Sequence, residues 1–171
     1  MKIQMTLDPH DLARAAESVR RYARDVERKA GELRDLIARN IAWSASEGFS
    51  TAVADDLIGE EFKPADVTVD IREDGDVRVV FASGEDAVFV EFGAGVSRNG
   101  GVGSSPHPRG EELGFTIGSY GKGLGAKPVW GFTKDGAHHI TRGTPARMPM
   151  YRGMEDALST IYDLAREVFR S

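Results

Sequence analysis

Cysteine is missing from all 171 residues. That removes disulfides, thiolate metal sites and cysteine nucleophiles together, and it fits a reducing compartment. No run approaches the roughly 20 apolar residues that a membrane span needs. The N-terminal stretch MKIQMTLDPHDLARAA reaches charge too soon to hold a signal-peptide core. The expectation is a chain made and kept in a cytoplasm, with no membrane partner. An excess of positive charge is lacking too: 22 basic residues stand against 27 acidic ones, a formal net charge of -5. No whole-chain field draws such a protein to phosphate, so a nucleic-acid binder would need a local basic patch. What is present, 40% hydrophobic and 29% charged residues, is the profile of one soluble globular domain and excludes a fibrous or wholly disordered chain. At this length folding buries roughly two thirds of the unfolded surface, enough to hold without staples.

The first segment reads as a helix over about 9–46. Asp8 stands where a cap is needed, Pro9 suits the first helical position, and Asp11 resembles a shortened capping box. Leu12, Val19, Val26 and Leu33 recur every seven residues, with Ala16, Ala23, Ala30 and Ile37 four after each. These draw one apolar stripe between charged flanks. Unbroken, the helix is roughly 57 Å long, longer than a domain of this size is wide, so part of the stripe overhangs its own domain and is available for subunit packing. The alternative is two shorter helices hinged near Gly31, because glycine costs about 1 kcal/mol against alanine in a helix interior.

Beyond Gly48 the chain up to Pro64 fits a short helix or an irregular connection. Strands are expected over about 66–92. Val67, Val69 and Ile71 alternate with polar residues, Glu73 to Asp76 is turn chemistry, and Val77, Val79 and Phe81 alternate on the return. Ala87 to Phe92, apolar at nearly every position, reads as a third, central strand covered on both faces. Glycine and proline dominate from 93 to 127, which predicts a flexible loop that orders only on assembly. A hairpin turning at Lys134-Asp135-Gly136 follows over about 128–142. A last helix over about 150–170 places Met154, Leu158, Ile161, Ala165, Val168 and Phe169 on one face. The order predicts a single α+β domain over 1–171, its two helices on one side of a largely antiparallel sheet.

Chemistry is thin along this chain. Gly118-Ser119-Tyr120-Gly121-Lys122-Gly123 has a phosphate loop's composition but the wrong spacing, and Gly follows its lysine where Ser or Thr is needed. His138 and His139 are neighbours in an expected strand, so they point to opposite faces and cannot share a metal. His10 and His107 lie on a helix cap and a Pro-flanked loop. Glu91 has no assigned partner as a general acid, and the plainer reading is a salt-bridged or surface carboxylate at a strand end. Arg98, Arg109, Lys122 and Lys127 interleave with Phe115 and Tyr120, but Glu111 and Glu112 dilute any grip on nucleic acid.

Two segments carry more. Val90-Glu91-Phe92-Gly93-Ala94-Gly95 is an apolar stretch ending in Glu-Phe-Gly, then a small residue and Gly; Gly143-Thr144-Pro145-Ala146-Arg147-Met148-Pro149-Met150 leads into the last helix. Both resemble hallmarks of the phage head-tail joining, or tail-completion, family, and the order of elements is similar along nearly the whole chain. Phe49 to Val53 replaces the family's usual Pro-x-x-Thr-Gly-x-Leu step, and Tyr151-Arg152-Gly153 replaces a small residue opening the helix. The resemblance implies a structural virion protein without catalytic site, cofactor or metal. It implies a homo-oligomeric ring, commonly a hexamer, at the neck of the virion, assembled in the host cytoplasm. Its partners would be head connector or adaptor proteins and the tail tube or tail terminator, with DNA only passing through the lumen. The residues implied in packing and interaction are Leu12, Val19, Val26, Leu33, Glu91, Phe92, Gly93, Gly95, Trp130 and Pro149. Phe92 is expected in the core, with Gly93 and Gly95 turning the chain into the loop. Two other readings are a small prophage-encoded hydrolase using His139 and Glu91, and a DNA-packaging or capsid-assembly factor.

Overall fold

The long stripe folds as one helix. In a computed structural model, which describes residues 8–52, 57–59, 64–119 and 124–170, α1 runs unbroken over Pro9–Ser50, 42 residues and about 63 Å. Gly31 stays helical, so the hinged alternative is not taken. Exposed pairs spaced three or four apart, Arg28 with both Asp25 and Glu32 among them, support the wet side. Pro9 sits in the first turn as expected. Asp8, however, makes no side-chain cap, and Asp11 accepts from Arg14 one turn on.

The next elements form a ribbon, β1 (Thr68–Asp74) and β2 (Val77–Ser83), paired antiparallel. Arg78 reaches Asp35 of α1 at 2.6 Å and Asp76 meets Arg34 at 2.9 Å, which docks the ribbon on the helix. The expected third strand is a helix, α2 (Ala87–Phe92). Its buried residues are Ala87, Val90 and Glu91, spaced i, i+3 and i+4, so one face is covered rather than two. A six-residue apolar run carries too little periodicity to separate these cases. Without that strand β2 pairs with β1 alone among the described residues, which form three two-stranded ribbons in place of the expected single sheet.

Among its described residues the glycine-rich segment holds two short helical turns, α3 (Val96–Asn99) and a 3-10 turn at Leu124–Ala126, and a minimal ribbon of β3 (Gly103–Ser104) with β4 (Thr116–Ile117). Within it Ser105, His107 and Ile117 are buried. These described parts are therefore fastened to the rest of the fold by named contacts. The hairpin β5 (Trp130–Lys134) and β6 (Ala137–Thr141) matches its expected place, and Leu57 bridges to Thr141. The chain ends in α4 (Pro149–Arg170). An α+β class holds throughout.

Helix α4 runs antiparallel along α1. Ser44 donates to Asp156 at 3.1 Å, and Pro149 packs on Gly48. The side facing α1 is small: Gly153 and Ala157 are buried, while Met154, Leu158 and Phe169 of the expected inward face are exposed. Small residues let two backbones come close. A Cβ at Gly153 would meet the Ile41 carbonyl oxygen at 3.0 Å and the Ala45 nitrogen at 3.3 Å. Gly153→Val should therefore cost about 1–3 kcal/mol by overpacking, read as a lower midpoint in chemical denaturation.

The core is modest for the length. Phe49, Ala52 and Val90 form its centre, with Ala65, Val67, Val69, Ala82 and Met150 packed around. Among the described residues the largest fully buried side chains are Phe49, Val90, Thr141 and Thr144, two of them hydroxyl-bearing. The chain exposes 11369 Å², against about 8,200 Å² for a compact monomer of its mass. Because α4 has 22 residues to α1's 42, it reaches back only to about residue 27 at equal rise. Leu12 and Val19 are 42% and 52% exposed, whereas Val26 and Leu33 are half-buried.

Candidate functional site

The two segments that carried the resemblance meet in space. Glu91, on the inner face of α2, is 7% exposed. Its Oε2 accepts the Met150 backbone N–H at 2.9 Å and its Oε1 the Tyr151 N–H at 3.0 Å. Pro149, buried at the start of α4, has no N–H, so Glu91 takes the first amides that α4 offers. It is a helix cap supplied from far away in sequence, with a carboxylate at the positive end of the helix dipole.

Glu91 Oε1 also lies 3.1 Å from His107 Nε2. The opposite ring nitrogen, Nδ1, accepts the Arg109 N–H at 3.0 Å, so the ring proton sits on Nε2 and is donated to Glu91. Ser105 Oγ accepts the His107 N–H at 3.1 Å and donates to the Phe92 carbonyl. Ser, His and Glu are the residue types of a hydrolytic triad, but they are wired differently. Both imidazole nitrogens are taken, and the serine hydroxyl is bonded to backbone groups. Phe92 is half-buried rather than central. It stacks on Phe115 with centroids 3.7 Å apart and leans on His107 at 4.5 Å, because the turn of α2 carries it outward to the loop.

Gly93 and Gly95 turn the chain as expected, with φ of 83° and 79°, values that favour glycine. A Cβ on Gly95 would also strike the Trp130 ring at 2.6 Å, which gives Trp130 its role as a packing lid over this turn. Between the two glycines Ala94 pairs with Thr144 through bonds of 2.8 and 2.9 Å. Asn99 locks the joint. Its Nδ2 donates to the carbonyls of Thr144 at 2.9 Å, Gly95 at 3.0 Å and Ala94 at 3.2 Å, and its Oδ1 accepts the Ala146 N–H at 2.9 Å. Asn99→Asp keeps the shape but turns a donor toward three carbonyls into an acceptor. We expect a loss of about 2–4 kcal/mol, seen as a lowered thermal midpoint with unchanged helix content at low temperature.

Beside this junction lies a groove of about 520 Å³, walled by Ile41, Phe49, Val80, Val88, Phe92 and Met154 with Glu91 and His107 in its lining. Its arginines are engaged: Arg78 by Asp35, and Arg109 by Glu112 through bonds of 3.0 and 2.8 Å. The Arg109 hydrogen bonds hold the Glu112 carboxyl below the usual carboxylate range, and Glu112 raises Arg109 in return.

The other candidates do not converge on this groove. His139 stacks with Phe132 at 5.3 Å and His138 lies 3.0 Å from the Thr133 hydroxyl, so His107 and not His139 is the partner of Glu91. Among the described residues no cluster of three potential ligands is placed to hold a metal. Ser119 bonds the Thr116 carbonyl, while residues 120–123 of the glycine-lysine stretch, Tyr120 and Lys122 included, lie outside the described residues. Asn99 and Ser105 are site residues that the sequence did not single out, and His107 was set aside there as a residue of a Pro-flanked loop. All three are polar residues in a glycine-rich stretch, and only the fold supplies their partners. No helix among the described residues is long and apolar enough to cross a membrane. No family model matches the chain, and no curated protein or solved structure is significantly similar to it.

Proposed function

We propose that this chain is a structural assembly subunit of the phage head-tail joining, or tail-completion, kind. In this reading it forms a closed homo-oligomeric ring, a hexamer by the resemblance, that joins the tail tube or its terminator to the connector or adaptor on the head. The observation that carries the proposal is the overhang of α1, where an amphipathic stripe continues past its own domain with Leu12 and Val19 open to solvent. A monomer gains nothing from an apolar seam it does not bury, whereas a ring subunit needs one.

Two further points support the reading. The Glu-Phe-Gly-Ala-Gly segment and the segment from Gly143 to Pro149 are joined by the Ala94–Thr144 pair and by Asn99, so the resemblance rests on one physical junction rather than on two scattered motifs. The net charge of -5 suits a passage that DNA crosses without sticking. Against a hydrolase, Glu91 and His107 are 7% and 6% exposed and direct their hydrogen bonds to groups within the fold, whereas a general base has to reach its substrate's proton. Electron microscopy of the concentrated purified chain tests the proposal. Closed rings with a central hole are expected, and a field of isolated subunits at every concentration refutes it.

A further inference from the structure

The β1–β2 ribbon has two edges, and they are built differently. β1 carries Asp70, Arg72, Glu73 and Asp74, charges of the kind that keep a further strand away. β2 carries a single charge, Arg78, which Asp35 of α1 engages at 2.6 Å, and no glycine or proline. The turn between the strands has two residues, so Val77, Val79 and Phe81 exchange their backbone bonds with β1. The N–H and C=O groups of Arg78, Val80 and Ala82 point the other way, and among the described residues no strand takes them up. The same three residues line the groove beside Glu91, and no described residue of β1 does. The open edge and the apolar groove therefore adjoin, and the groove's lining also includes Val88, Leu113 and Met154, which are 48%, 46% and 36% exposed.

We infer that residues 1–7 of a second copy add to β2 as a third strand and set their apolar side chains in this groove. The inference rests on the assembly reading and names the contact that the α1 overhang carries to its neighbour. The sequence chooses the occupant. Met1, Ile3, Met5 and Leu7 alternate with Lys2, Gln4 and Thr6, the period of a strand with one covered face. Their seven positions match the seven residues of β2. Pro9 then holds the residue before it extended: Asp8 has φ −67° and ψ 135°, so the chain enters α1 from a strand-like conformation.

Reach excludes the subunit's own edge. The turn of the ribbon is fastened to α1 at Arg34 and Asp35, and its other end packs at Phe49 and Ala52. From Asp8 to Arg34 the helix rises about 39 Å, whereas seven extended residues span at most about 25 Å. The segment therefore reaches a β2 only in another copy. The third ribbon is a poorer acceptor. Leu57 and Ile58 already bond beside β6, and β5 has five residues, Gly131 and Lys134 among them. An added strand is held by main-chain bonds and by pockets for alternate side chains, and β2 with its groove supplies both. A strand given by one copy to the next is a heterologous contact, the kind that closes into rings.

Because the chain has no cysteine, introduced ones report the contact. Ile3→Cys and Val80→Cys are made in separate full-length chains, mixed at assembling concentration and treated with a short bismaleimide. Val88→Cys, exposed in the groove's lining, serves as a second acceptor position. Cross-linked dimers are expected from both mixtures and none from Ile3→Cys alone. Dimers from Ile3→Cys alone mean that N-terminal segments pair with each other. An intrachain link between Ile3→Cys and Val19→Cys placed in one chain means that the segment folds back on its own helix. Either result, or oligomers that give no link to positions 80 and 88, overturns this contact while leaving the ring reading intact, whereas a monomer by light scattering at every concentration overturns both. As a second readout, Ile3→Asp with Met5→Asp should raise the assembly midpoint about a hundredfold or more. Gln4→Ser with Thr6→Ser, on the strand's other face, should move it less than about threefold, and equal effects of the two pairs would remove the insertion.

Discussion

Glu91→Ala should cost about 3–6 kcal/mol. The substitution removes the acceptor of two backbone amides at the start of α4 and of the His107 ring. Each donor left buried without a partner costs about 1–3 kcal/mol, and the negative charge at the helix N-terminus goes as well. Against a total stability of about 5–15 kcal/mol for a domain, that is a large share. At about 2–4 °C per kcal/mol for a chain of this size, the melting temperature should fall by about 10 °C or more. Glu91→Gln is the graded control, keeping one acceptor oxygen and losing the charge, and should cost about half as much. Circular dichroism melts of the three proteins decide the matter. A Glu91→Ala protein that melts with the wild type would mean that α4 is not held by this cap.

Leu12→Asp with Val19→Asp should leave the subunit folded and abolish assembly. Both side chains are largely exposed in the subunit, so the effect on its own stability should stay within about 0.5 kcal/mol. At an interface the same carboxylates would be buried without partners, at several kcal/mol each. With tenfold for each 1.4 kcal/mol, the association constant should fall by about a thousandfold or more. The comparison pair is Val26→Asp with Leu33→Asp, residues already half-buried within the subunit, and here the fold itself should weaken. Sedimentation and melting curves on both pairs separate an assembly seam from an intrachain one. If the first pair unfolds the subunit, the overhang belongs to the core.

These contrasts show where sequence sufficed. The stripe on α1 was legible because it repeats over four turns and more, with a proline at the start and glycines held off until Gly31. The ribbons β1–β2 and β5–β6 were legible from alternation around turn residues. Ala87 to Phe92 was not, since six apolar residues satisfy a buried strand and a half-buried helix equally, and the choice was made by Glu91 reaching α4 some sixty residues away. That one error also turned one sheet into separate ribbons. The inward face of α4 was read in part: Ile161, Ala165 and Val168 are half-buried, but Met154, Leu158 and Phe169 are exposed, because close helix packing selected Gly153 and Ala157. Of the site, Gly93 and Gly95 were legible from backbone needs alone. His107 and Asn99 were not, because their roles are hydrogen bonds to distant backbone groups that leave no local pattern.

Hydrogen exchange over residues 9–26, followed against protein concentration, tests most directly whether the overhang is an assembly surface. An isolated helical stretch of that length is marginal in water, so in dilute subunits its amides should exchange far faster than those of residues 34–50, which pack on α4 and the ribbon. As concentration rises through the assembly midpoint, protection over 9–26 should grow in step with the oligomer seen by light scattering. Protection that is already complete in the dilute monomer, or that stays low while oligomers form, would contradict assembly through this helix.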